Sequence, residues 1–144
     1  MFQLIYLSWA SDTFDPFGPR GMQSILNTAQ NFNSSKNITG MLIFRNQLFL
    51  QLLEGEQKDV MELFEKIKSD PRHKDIQVIL SQEGDKKVFP NWSMAYSDLT
   101  GRELDIVNEI MPWDQVVEDF KNGKEVPNNK ILSIFLRFKY DQAA

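Results

Sequence analysis

The chain has 144 residues, 42% hydrophobic and 25% charged, which is enough for one sizeable core and too few for a second independent domain. A formal net charge of −4 without a long run of like charges argues against a nucleic-acid partner, and Lys121, Lys124, Lys130, Arg137 and Lys139 read as solvated helix faces. The absence of cysteine removes disulfides, thiolate metal sites and cysteine nucleophiles, and one histidine, His73, cannot build a histidine metal cluster.

Phe2 to Leu7 predicts a short strand, because Leu4, Ile5, Tyr6 and Leu7 form an apolar run. Ser11 to Gly21 holds two prolines, two glycines and two aspartates and predicts a loop. Met22, Ile25, Leu26, Ala29 and Phe32 then recur at three- and four-residue spacing, the stripe of a half-buried helix. Asn33, Ser34, Ser35 and Asn37 are expected to break it, with Asn33 as a cap or turn residue. Ile38–Phe44 and Leu48–Leu53 predict a hairpin turning at Asn46 and Gln47. Gly55 and Glu56 open a second helix, with Val60, Met61, Phe64 and Ile67 inward, and Pro71 stops it. Asp75–Leu80 and Val88–Tyr96 predict two more strands.

The order βαββαββ predicts an α+β, ferredoxin-like fold: a mixed five-stranded sheet with two helices on one face. Residues 1–97 form the expected domain. Residues 98–144 form a helical extension, cut by Pro112 and Pro127, that covers the sheet's other face. No segment approaches the roughly 20 apolar residues of a membrane helix, and no signal-peptide pattern opens the chain. A soluble cytoplasmic protein without a membrane partner is expected.

Enzyme signals are weak. The seven glycines form no phosphate loop or dinucleotide fingerprint, and nothing places Glu54 and Glu56 across a reacting bond. Gln51 stands out, because every neighbour in Leu48–Leu53 is apolar and such a strand should be buried on both faces. Its amide must find partners, since each unpaired buried polar group costs about 1–3 kcal/mol. Those partners are either nearby backbone, as for an ordinary structural amide, or a ligand. Tyr6 poses the same question for its hydroxyl, with a plain core tyrosine as the bland answer. Trp92 and Met94, two apart on an expected strand, should share one face and belong to the core.

Together these residues resemble the BLUF family of flavin-based blue-light receptors. The resemblance runs from Phe2 to Tyr96. It rests on Leu4-Ile5-Tyr6 with Ser8, Ile38-Thr39-Gly40-Met41-Leu42, and Phe49-Leu50-Gln51-Leu52-Leu53-Glu54-Gly55, followed by Asp70-Pro71-Arg72-His73 and Phe89-Pro90-Asn91-Trp92-Ser93-Met94. It implies a flavin held without covalent attachment between the two helices. Ile25 and Ile67 would lie on the ring's two faces, and Asn33 would hold its C4 carbonyl and N3 hydrogen. Asp70 and His73 would sit near its edge, and Lys66 would replace the usual arginine near the C2 carbonyl. It implies further that light drives an electron and then a proton from Tyr6 by way of Gln51. A rearranged Gln51 hydrogen bond would shift the absorption to the red, and Trp92 and Met94 would relay the change. The cofactor implied is FAD, with FMN as the other possibility. A short stand-alone sensor is expected, not an enzyme, that signals through an unknown downstream protein and as a homo-oligomer. The competing expectation is a colourless protein-interaction module on the same fold.

Overall fold

Successive residues of a strand point to opposite faces of its sheet, and this alternation divides the apolar residues of the chain into two cores. The computed structural model describes residues 1–143; Ala144, the last residue of the expected extension, lies outside them. Five strands, β1 (Phe2–Ala10), β2 (Thr39–Arg45), β3 (Leu48–Gly55), β4 (His73–Glu83) and β5 (Ala95–Ser97), form one sheet in the order β4-β1-β3-β2-β5. β2 and β5 run parallel, and the other neighbours are antiparallel. The helices α1 (Met22–Lys36) and α2 (Gln57–Lys68) pack on Leu4, Tyr6, Leu42, Phe44, Phe49 and Leu53. The helices α3 (Arg102–Ile110), α4 (Trp113–Lys121) and α5 (Asn128–Ala143) cover Ile5, Leu7, Met41, Ile43, Leu48, Leu50 and Leu52 on the opposite face. The ferredoxin-like α+β arrangement is the one the element order predicts. Central strand β3 is buried along its whole length, as its unbroken apolar run requires.

Four elements depart from expectation by three residues or more. Strand β1 runs past Leu7 to Ala10 because its pairing with β3 continues as far as Trp9 opposite Leu48. Helix α1 runs through Asn33 to Lys36 and ends where Asn37 turns left-handed at φ 55°, donating its N–H to the Asn33 carbonyl. Asn33 does not break the helix because its side chain bonds elsewhere, to the Ser93 carbonyl at 2.7 Å. Strand β4 reaches from His73 to Glu83, beyond Asp75–Leu80, because it is a sheet edge whose solvent side tolerates polar residues. The expected strand Val88–Tyr96 shrinks to Ala95–Ser97. Pro90 has no N–H to offer a ladder, and the Glu54 carboxylate captures the N–H groups of Val88 and Phe89. In the β2–β3 hairpin, Asn46 and Gln47 both have positive φ (57° and 63°), the geometry a two-residue turn needs to match strand twist.

Candidate functional site

The β1–β3 register places Tyr6 directly opposite Gln51, on the face that carries α1 and α2. Tyr6 is fully buried, and its hydroxyl donates to Gln51 Oε1 in a short hydrogen bond. The Gln51 Nε2 reaches the Met94 sulfur at 3.2 Å, a weak acceptor. One amide hydrogen of Gln51 therefore has no partner among the described residues. Burial first, and the nearby Asp70 charge second, raise the Tyr6 pKa far above the ordinary phenol value, so the group stays protonated.

Above this pair a cavity of about 150 Å3 opens between α1 and α2. Ile25 and Ile67 line it from the two helices, with Ala29, Phe32, Leu42 and Leu63 completing apolar walls. Gln51, Lys66, Asp70, Arg72 and His73 supply its polar lining. Lys66 lies with its ammonium 4.0 Å from the Phe32 ring centroid, a cation–π contact joining the two helices. Asp70 and Arg72 form a forked ion pair, with Nη2 to Oδ2 at 2.6 Å and Nε to Oδ1 at 3.0 Å, and the Arg72 backbone N–H adds a third bond at 2.9 Å. Burial pushes the Asp70 carboxyl up, but the Arg72 hydrogen bonds and charge outweigh it and hold the group below the usual carboxylate range. His73 packs against Phe49 with ring centroids 4.4 Å apart and planes tilted by 43°, and its Nδ1 lies 2.8 Å from the buried Ser8 hydroxyl. Burial lowers its pKa to about 4, so the ring is neutral near pH 7.

The structure thus gathers Tyr6, Gln51, Ile25, Lys66, Ile67, Asp70 and His73 around one cavity. Asn33 does not line it. Asn33 is completely buried below, its Nδ2 committed to Ser93 and its Oδ1 without a partner among the described residues. Trp92 and Met94 do not share a face. The segment carrying them is irregular, not a strand, so strand alternation does not apply. Met94 joins the core under α1 and α2, whereas Trp92 stacks on Phe89 (5.2 Å, 12° between planes) on the side of the C-terminal helices. Sequence reasoning left Arg72 without a role, although an aspartate two residues before an arginine is a readable signal for this local ion pair. Among the described residues no cluster of acids and histidine is placed to hold a metal, and no helix is long and apolar enough to cross a membrane.

A flat ring with an apolar body and a polar edge matches these walls. The free Gln51 hydrogen is an unmet bond such an edge would satisfy, so the residues lining the cavity fit a flavin. Fold and cavity together define a ferredoxin-like domain with an apolar cleft between its two helices. The family described as "BLUF: Sensors of blue-light using FAD" matches residues 1–95, and the chain belongs to that family. Photoactivated adenylate cyclase subunit alpha of Euglena gracilis is 38% identical over 87 residues, 60% of this chain but 8% of that protein. The chain thus matches only a small part of the cyclase relatives. Among solved structures, BlsA in its photo-activated state shares 31% identity with a TM-score of 0.70, covering 77% of this chain and 79% of that one. BlrB, described as a BLUF protein in its dark state, covers 97% and 96% with a TM-score of 0.75; at 22% identity it shows the fold alone.

Proposed function

We propose that this chain binds a flavin non-covalently in the cleft between α1 and α2 and serves as a blue-light photoreceptor. The observation that carries the reading is the buried Tyr6–Gln51 hydrogen bond at the cavity floor, with half of the Gln51 amide nitrogen left over for a ligand. Ile25 and Ile67 would clamp the ring, and Lys66 and the Asp70–Arg72 pair would stand at its polar rim; a bond from Asn33 to a ring N–H would require its buried side chain to turn out into the cavity. When bound, the flavin absorbs blue light and in its excited state takes up an electron and a proton. FAD is the assignment, following the family description. A solved relative described as carrying FMN, BlrP1 of Klebsiella pneumoniae, keeps FMN as the competing cofactor.

The part played by the protein follows from its own groups. Tyr6, held protonated and bonded only to Gln51, is the donor of the electron and proton. Gln51 relays the proton, because an amide offers a donor and an acceptor end to the same neighbour. Its two arrangements differ by one hydrogen bond, worth on the order of 1 kcal/mol. Turning the amide exchanges Oε1 for Nε2 at Tyr6 and at Met94, and the sulfur of Met94 feels the change directly. Met94 runs straight into β5, where the Ser97 hydroxyl donates to Glu103 in the first turn of α3. The change therefore reaches the C-terminal helices, and docking with a protein partner, or with further copies of the chain, is the output. No turnover is required, and a cytoplasmic setting is assigned.

The test is an absorption spectrum of the purified chain before and after blue light. A yellow protein whose absorption moves reversibly to the red supports the reading. A colourless protein, or a yellow one that does not shift, overturns it.

A further inference from the structure

Between β4 and β5 the chain has no ladder to join, yet Val88 and Phe89 are almost completely buried. Their backbone N–H groups go to one side chain. The Glu54 carboxylate, wholly buried on β3, accepts from Val88 N–H through Oε2 at 2.7 Å and from Phe89 N–H through Oε1 at 3.0 Å. The pleat puts Glu54 on the face of Leu50 and Leu52, opposite to Gln51. Gln3 lies beside it in register and Gln82 beside Gln3. Gln3 donates to Glu54 at 2.9 Å and accepts from Gln82 at 2.9 Å.

The tethered segment then crosses to the other face. Trp92 accepts from the Gly40 N–H at 3.1 Å, Ser93 accepts from Asn33, and the Met94 sulfur meets the Gln51 amide. Two oxygens gripping two successive amides fix rotation as well as distance. Only four residues separate that grip from Met94.

We propose that Glu54 is a positioning residue, which sets where Met94 sits against Gln51 by holding the start of this connection from the far side of the sheet. The inference rests on Gln51 being the light-responsive group, but Glu54's hold on Met94 is testable without light.

The experiment uses the full chain with carbon-13-labelled methionine methyls. In Glu54→Gln, one carboxylate oxygen becomes a donor that faces donors. Amide exchange at Val88 and Phe89 should then rise about tenfold, and the Met94 methyl resonance should move. The lifetime of the red-shifted state should change by about fivefold. Gln3→Leu removes a donor to the same carboxylate but leaves Val88 and Phe89 bonded, so it should leave the Met94 resonance and the lifetime near wild type. In a Met94→Leu background, Glu54→Gln should add nothing further to the lifetime. If Glu54→Gln does not fold, Glu54→Asp, which withdraws the carboxylate, should move the same resonance. An unmoved Met94 methyl, an equal effect from Gln3→Leu, or lifetimes that simply add overturns the proposal. A wild-type chain without any light response defeats the photoreceptor reading, while the exchange and methyl measurements still decide the role of Glu54.

Discussion

Tyr6 and Gln51 face each other across the β1–β3 pair, and the buried phenol donates to the buried amide oxygen. Each is therefore the other's main polar partner inside an apolar wall. That mutual dependence makes the pair sensitive to single substitutions.

Tyr6→Phe is expected to keep flavin and the fold while abolishing the reversible red shift, because no group remains to supply the electron and proton. It orphans the Gln51 oxygen, so urea unfolding should show a loss of about 1–2 kcal/mol. Gln51→Leu should abolish the shift by removing the relay. A normal photocycle in either variant refutes the assigned roles.

His73 gives stability a pH dependence. Its folded pKa of about 4 lies below the ordinary histidine value of 6.5, so the unfolded chain binds the proton more tightly. The stabilisation is complete above pH 6.5 and is lost as the pH falls towards 4. From pH 7 to pH 5 the loss should be about 2 kcal/mol by denaturant unfolding. His73→Gln should flatten that interval; an equally steep profile in the variant places the titration elsewhere.

Arg72→Met leaves the Asp70 carboxylate half-buried without its fork. The carboxyl pKa should rise towards and past the ordinary value, and unfolding should cost about 2 kcal/mol less than in the wild type. Titration of Asp70 by carbon-13 NMR checks the first effect, and flavin retention through gel filtration checks the cleft. An unchanged Asp70 titration would show that the ion pair does not govern it.

Gly40 is required for close approach, not for backbone freedom. A Cβ at this position would lie 1.9 Å from the Leu52 carbonyl oxygen, so β2 and β3 would have to part. Gly40→Ala should cost about 4 kcal/mol or leave the protein insoluble. By contrast, a Cβ at Gly123 meets nothing within 4 Å, and only its φ of 69° opposes alanine there. Comparable melting temperatures for the two alanine variants would contradict the steric argument.

The sequence carried most of the architecture because its strongest signals are local. The stripe from Met22 to Phe32 and the double-sided run of β3 both depend on local pattern, and each matches its element. What it did not carry depends on distant partners. Nothing near Val88 tells that its N–H belongs to Glu54, 34 residues earlier, so the run Val88–Tyr96 looked like a strand. The same miss put Trp92 and Met94 on one face. Asn33 looked like a helix stop because its partner, the Ser93 carbonyl, is 60 residues away. At the cavity, apolar strands with stranded polar tips marked Tyr6 and Gln51 from sequence alone. The roles of Ile25, Lys66 and Ile67 came from resemblance, since half-buried helix positions look alike whether they face a ligand or a neighbour.

Helices α3, α4 and α5 blanket a sheet face made of Ile5, Leu7, Met41, Ile43, Leu48, Leu50 and Leu52. Stripping that blanket would wet seven large side chains at about 1.5–3 kcal/mol each, a total comparable with or above the whole stability of a domain. A single exchanged hydrogen bond supplies about a tenth of that. The three helices therefore stay seated in both states, and whatever a partner perceives must be a slight rocking or slide of their outer surface, never their release.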